Sequence, residues 1–108
     1  MPLWRIRDRT TFTALRADGT RGRSGPVSVT VLLDDRGDPP RVAFAIGTRT
    51  GPAVVRNRLR RQLRPIAASL GLPSGAYLVG VSPAGAGARA ADLRKHLLAA
   101  LAKAGVAL

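Results

Sequence analysis

Arginine is the residue type that gives this chain its chemistry. Positions 49–64 hold Arg49, Arg56, Arg58, Arg60, Arg61 and Arg64, with Asn57 among them and no acidic residue. A guanidinium is permanently charged and presents a planar fork of donors. It pairs with phosphate oxygens two at a time and stacks on bases. The groups that make and break bonds are missing. A lone histidine, His96, cannot build a zinc site or a conventional catalytic network by itself. Without cysteine there is no disulfide framework, thiolate metal site or thiol redox chemistry. The expected chemistry is recognition of an anion, with no catalytic residue and no metal site supplied by the protein.

The whole chain supports that expectation. Its 108 residues carry 18 basic and 6 acidic side chains, a net charge of +12. An apolar content of 45% is enough for a folded core, so 1–108 is expected to form one domain. A foldable domain this basic usually meets a polyanion, and nucleic acid is the commonest. The abundance of Ala and Gly suggests a GC-rich coding bias, which also turns lysine into arginine. The arginine preference therefore does not identify the ligand alone. No run of about 18 apolar residues exists, and the N-terminus lacks the apolar core of a signal peptide. A cytoplasmic protein without membrane contact is expected.

Several elements must position the arginines. Residues 1–7 are a basic, extended lead-in. Asp8 is a candidate N-cap for a short helix over 9–17, closed by Gly19 at C′. Residues 20–25 are a basic connector. Val27, Val29 and Val31 alternate with Ser28 and Thr30, which predicts a strand over 27–33. The acidic turn 34–40 leads to a second strand over 41–47, and a hairpin is the simplest pairing. A third strand is predicted over 76–82, and a last helix from about 90 to 104 with Leu93, Leu97, Leu98 and Leu101 on one stripe. His96 falls off that stripe and is expected to be solvated. The strands share a bulky face for the core. Their opposite face is built of small residues, and either leaves a shallow groove or receives another helix.

Thr50-Gly51-Pro52 predicts the start of the central helix, with Thr50 or Gly51 as N-cap. Val55, Leu59, Leu63, Ile66 and Leu70 follow at spacings of 4, 4, 3 and 4, one apolar seam. Arg56, Arg60 and Arg64 form a row beside it, and Arg58 and Arg61 a pair elsewhere on the exposed surface. Like charges at i, i+4 each destabilise a helix by roughly 0.2–0.5 kcal/mol, and no acidic residue offsets them from Pro39 to Ala91. An external anion resolves that repulsion. Pro65 should kink the helix near 62–65 or restart it there. The order helix–strand–strand–helix–strand–helix describes an α+β fold (an α/β sandwich), with helices on a mixed sheet of three to four strands.

The stretch 51–64 resembles the signature of the bacterial ribonuclease P protein subunit. That pattern is an Arg-Asn-Arg core (Arg56, Asn57, Arg58), an apolar residue (Leu59) and two basic ones (Arg60, Arg61), on a helix that follows a strand. Phe12 to Gly19, ahead of the first long strand, resembles the family's N-terminal Phe helix. The resemblance runs in order along nearly the whole chain. It implies a fourth short strand around 20–25 and a left-handed βαβ crossover through the central helix. It also implies a non-catalytic protein that assembles with a larger catalytic RNA and precursor tRNA to remove the 5′ leader. No obligate protein partner is implied, and the magnesium ions are bound mainly by the RNA. Arg49, Arg56, Asn57, Arg58, Arg60 and Arg61 would face the catalytic RNA. Phe12, Arg16, Ser28 and Thr30 would line the leader groove. Arg16 and Thr30 stand where the family commonly has aromatics, and Thr48-Arg49 replaces a basic pair.

The alternative is a structural, ribosomal-type RNA-binding protein. A DNA regulator would need a second short helix at helix-turn-helix spacing before the arginine helix, which the sequence lacks. Replacing Arg56, Arg58 and Arg61 by alanine should lower RNA affinity. It should also flatten the slope of log affinity against log salt by up to roughly 0.9 per lost phosphate contact on duplex-like RNA. Binding isotherms at several salt concentrations measure that slope.

Overall fold

A computed structural model describes residues 3–108. Five strands form one sheet: β1 (Trp4–Arg5), β2 (Thr20–Ser24), β3 (Val27–Leu33), β4 (Arg41–Ala45) and β5 (Gly75–Val81). Three helices accompany it: α1 (Arg9–Asp18), α2 (Ala53–Ser69) and α3 (Ala90–Lys103). The spatial order is β1-β4-β5-β3-β2. The resemblance correctly implied a strand near 20–25, but the lead-in also pairs. Trp4 and Arg5 run parallel to Arg41 and Val42, making a fifth strand beyond the expected three to four.

The hairpin expected between β3 and β4 does not form. β5 lies between them, antiparallel to β3 and parallel to β4, which α2 joins to it. Asp34 helps to hold this arrangement. Its backbone N–H donates to Ser74 O at 3.1 Å, and its carboxylate accepts from Ser74 Oγ at 2.6 Å and Arg41 Nη2 at 3.1 Å. The end of β3 is thus tied to the approach to β5 and the start of β4. The acidic turn expected as mere punctuation contains a junction.

Pleat alternation divides the sheet into two faces. Val27, Val29, Val31, Val42, Tyr77, Val79 and Val81 point to one side, where Leu59 and Leu63 of α2 and Leu93, Leu97 and Leu101 of α3 cover them. Tyr77 is fully buried, and its hydroxyl donates to Pro73 O at 2.7 Å. Gly22 of β2 lies directly under α3: a Cβ there would stand 2.1 Å from Ala100 O. His96 is not simply solvated, since its Nδ1 lies 3.0 Å from Ser24 Oγ beside the β2–β3 turn.

The small-residue face takes α1, but only at one end. Leu15, Ile6 and Ala76 are buried there, with Phe12, Leu32, Ala43 and Leu78 packed around them. Asp8 caps α1 as expected, accepting from Thr11 N at 2.9 Å. Gly19 closes it with φ −68, so the left-handed conformation expected at C′ is absent. The reason for glycine is space, because a Cβ would meet Leu15 O at 2.4 Å and Thr30 Cγ2 at 2.6 Å.

Pro65 does not restart α2, which is one helix from Ala53 to Ser69. Proline removes the hydrogen bond to the carbonyl four residues back, that of Arg61. Both residues lie on the exposed side, where water can solvate that carbonyl. The seam of Leu59, Leu63 and Ala67 continues unbroken into the core. The N-cap is Pro52, one residue later than expected, and Thr50 is spent elsewhere: its buried hydroxyl donates to Val81 O at 2.8 Å.

Two outcomes check this packing. Leu59→Ala should destabilise the domain by about 2–5 kcal/mol in denaturant unfolding, since Leu59 is wholly buried. Asp34 has its pKa held below the ordinary carboxylate value, chiefly by the Ser74 hydroxyl, with Arg36 and Arg41 assisting against partial desolvation. Its contribution to stability is therefore present above the unfolded-state pKa and lost as pH falls through the lowered folded value. An acid-unfolding series should show a weaker pH dependence for Asp34→Asn at that end.

Candidate nucleic-acid interface

The apolar seam of α2 fixes how its arginines are presented. Leu59 and Leu63 are fully buried, while Asn57 and Arg61 stand on the exposed side. Arg60 and Arg64 flank the seam. Arg60 Nη1 donates to Asn57 Oδ1 at 3.2 Å, and the Arg64 guanidinium lies 5.3 Å from the centre of the Phe44 ring. Together with Arg5 from β1, these groups surround an open hollow of about 820 Å³ between the edge of the sheet and α2. Arg49 is exposed on the single helical turn Thr48–Thr50 that leads into α2. The buried Thr50 hydroxyl anchors that turn to the end of β5.

Arg56 and Arg58 behave differently. Arg56 Nε donates to Gly51 O at 3.2 Å, closing over the start of its own helix. Arg58 was expected on the exposed surface but is half-buried. Its Nη2 donates to the carbonyl of Ala86, in the segment between β5 and α3. Arg58 Nε and Gln62 Oε1 are both buried without a hydrogen-bond partner among the described residues. They stand one helical turn apart, close enough in register for a side-chain rotation to pair them. The repulsion on α2 is thus relieved partly from within, by backbone carbonyls and an aromatic ring.

The other face holds the second set of residues. Phe12 is half-buried against the α1 cluster, and Arg16, one turn later on the same flank, is exposed. Ser28 is exposed and Thr30 half-buried. They line a hollow of about 420 Å³ with Arg21, Gly22 and Arg23 of β2. Cross-strand pairs Arg21 with Thr30 and Arg23 with Ser28 put both arginines beside the small residues. The rest of this open strip is Gly80 and Ala45, since α1 stops short of them.

Sequence reasoning named Phe12, Arg16, Ser28 and Thr30 for this face but missed Arg21 and Arg23. Their signal is the alternation Thr-Arg-Gly-Arg-Ser, which has the period of a strand although its basic, Gly-containing composition resembles a connector. Arg5 was missed for a related reason: a two-residue parallel strand leaves no periodicity to detect. Among the described residues, no three His, Cys, Asp or Glu side chains converge into a set that would hold a metal ion.

This arrangement belongs to a known class. The family model for Ribonuclease P matches residues 2–105, and the chain belongs to that family. Among curated relatives, ribonuclease P protein components of Beutenbergia cavernae and Nocardioides sp. are 32% and 34% identical over 106 residues. Both alignments cover 94% of this chain, and they cover 88% and 91% of those proteins. The component of Symbiobacterium thermophilum is 41% identical over 61 residues, which is 56% of this chain and 53% of that one. The chain thus aligns to only about half of some relatives. In three dimensions it superposes on a Staphylococcus aureus RNase P protein mutant with a TM-score of 0.83 and 19% identity, covering 96% of this chain and 90% of that one. The Thermotoga maritima RNase P protein gives 0.74 at 23% identity, covering 87% and 91%. These structures share the mixed α+β fold.

The two kinds of arginine can be separated by experiment. Arg58→Ala should lower stability by about 1–3 kcal/mol, because a charge-assisted hydrogen bond inside the fold is lost. Arg61→Ala should stay within about 0.5 kcal/mol of the parent. Thermal unfolding of both variants without nucleic acid makes the comparison.

Proposed function

We propose that this chain is the protein component of ribonuclease P, acting in tRNA 5′-end processing. In this reading it binds a catalytic RNA through Arg49 and the exposed groups of α2, namely Asn57, Arg60 and Arg61. Arg56 and Arg58 shape and hold that surface, each presenting the donors its own contact leaves free. The 5′ leader of precursor tRNA lies across the open strip of the sheet. Ser28 and Thr30 supply a floor low enough for a backbone to approach, Arg21 and Arg23 supply charge, and Phe12 and Arg16 border it from α1. A basic groove with an aromatic edge suits single-stranded nucleic acid.

The observation that carries this reading is α2 itself. It has one side sealed in the core, a cationic side turned outward, and no acidic residue to neutralise it. Family membership supports an RNA as the partner. Among the described residues no three His, Cys, Asp or Glu side chains converge as metal ligands, and in this reading hydrolysis belongs to the RNA. Magnesium would be bound mainly by that RNA and would supply the charge stabilisation for phosphodiester cleavage. The protein's part is to lower repulsion between RNA segments and to orient the leader.

A reconstituted cleavage assay tests this reading. The protein alone should not cut precursor tRNA. Added to its cognate RNA, it should restore 5′-leader removal at magnesium concentrations where the RNA alone is slow. If it neither binds that RNA nor changes its magnesium requirement, the proposal is wrong. Co-purification with ribosomal particles, together with no effect on cleavage, would favour the ribosomal-type reading.

A further inference from the structure

Trp4 is the chain's single tryptophan, and it is 48% exposed at the outer edge of the sheet. An indole left in solvent forgoes burial that a core would provide, and its position suggests what it meets instead. Leu3, Arg5, Arg7 and Arg64 line a hollow with it. Arg5 and Arg64 also line the next hollow, with Ile6, Ala43, Phe44 and Arg60. The same Arg5, Arg60 and Arg64 border the larger space beside α2. These spaces form one cationic gutter between β1 and α2, with an aromatic plane at one end. Among the described residues, the nearest elements to it contribute no acidic side chain to its lining.

The other end is defined by Ala43. It lines the gutter and also packs against the α1 cluster that holds Phe12. The gutter therefore opens onto the sheet face that carries the leader groove. Spaced guanidiniums beside a free aromatic face match the repeating phosphates and bases of a single strand. We infer that Trp4, Arg5 and Arg64 form an outer binding site for upstream nucleotides of the leader, with a base stacked on Trp4 and phosphates on the two arginines. The site extends the groove around the β4–β1 edge, and it rests on the leader-binding reading above.

Trp4 reports on its own occupancy, because no other tryptophan contributes to emission. The experiment uses the full chain assembled with its catalytic RNA, to which precursor tRNAs with stepwise longer leaders are added. Emission should stay constant with the catalytic RNA alone and with the shortest leaders. It should then be quenched once the leader is long enough to pass Phe12. Trp4→Ala should weaken binding of long-leader precursors by roughly tenfold, the scale of one lost base stack, and leave short-leader precursors unchanged. Trp4→Phe should recover most of that affinity. Arg5→Ala should flatten the salt dependence only for long leaders.

Quenching by the catalytic RNA alone would assign the gutter to that RNA and overturn the inference. So would equal long-leader affinity for Trp4→Ala and the parent. A complex that binds no precursor of any leader length would instead defeat the leader-binding reading itself.

Discussion

The structure depends on a contest along α2 between a buried seam and a crowded charge. Arg56–Arg60, Arg60–Arg64, Arg58–Arg61 and Arg61–Arg64 are four like-charge neighbours at helical spacing. At roughly 0.2–0.5 kcal/mol each, they oppose the helix by about 1–2 kcal/mol. Leu59 and Leu63 are fully buried, and each contributes about 1.5–3 kcal/mol. Val55, Ile66 and Leu70 add partial burial. The seam wins, so the helix can hold its cations without an acidic partner in the sequence. The same burial carries the backbone through Pro65, where local preference alone favours a break.

The sheet serves both of its faces differently. On one side bulky β-branched residues and Tyr77 meet two helices and form the main core. Burial pushes the Tyr77 hydroxyl up to about 12, which keeps it neutral across the ordinary pH range. On the other side small residues let α1 sit close at one end and leave the other end bare. Gly19 sets that limit, since any larger residue would press on Thr30 and on the last turn of α1. The bare strip is thus produced by the same short side chains that admit the helix.

Most of the regular structure was legible in the sequence, because periodicity reports burial and burial dominates these elements. Val27–Leu33, the seam of α2 and the leucine stripe of α3 all fall where their patterns place them. What was not legible follows from contacts between distant segments. Nothing in 27–47 reveals that β5 will come between β3 and β4, because the tie between Asp34 and Ser74 spans 40 residues. β1 is too short for a pattern. Arg58 has the composition of a surface residue, and only the loop carrying Ala86 turns it inward. His96 likewise lies off the leucine stripe, and its neighbour Ser24 is 72 residues away in sequence. At the candidate site, types and spacing identified α2, whereas the arginines of β1 and β2 required the pairing register.

The central place of β5 has a consequence for biosynthesis. β5 is the only link between the β1–β4 pair and the β3–β2 pair, and it is the last strand among the described residues. A growing polypeptide therefore cannot close its sheet until Val81 has left the ribosome. By then α2 has already emerged, with its arginines out and its apolar seam lacking the floor it will rest on. Topologies of this kind, rich in distant pairings, fold more slowly than helical bundles of equal size. For that interval the nascent chain is a bare cationic amphipath beside ribosomal RNA, and its safe folding depends on how soon the final strand arrives.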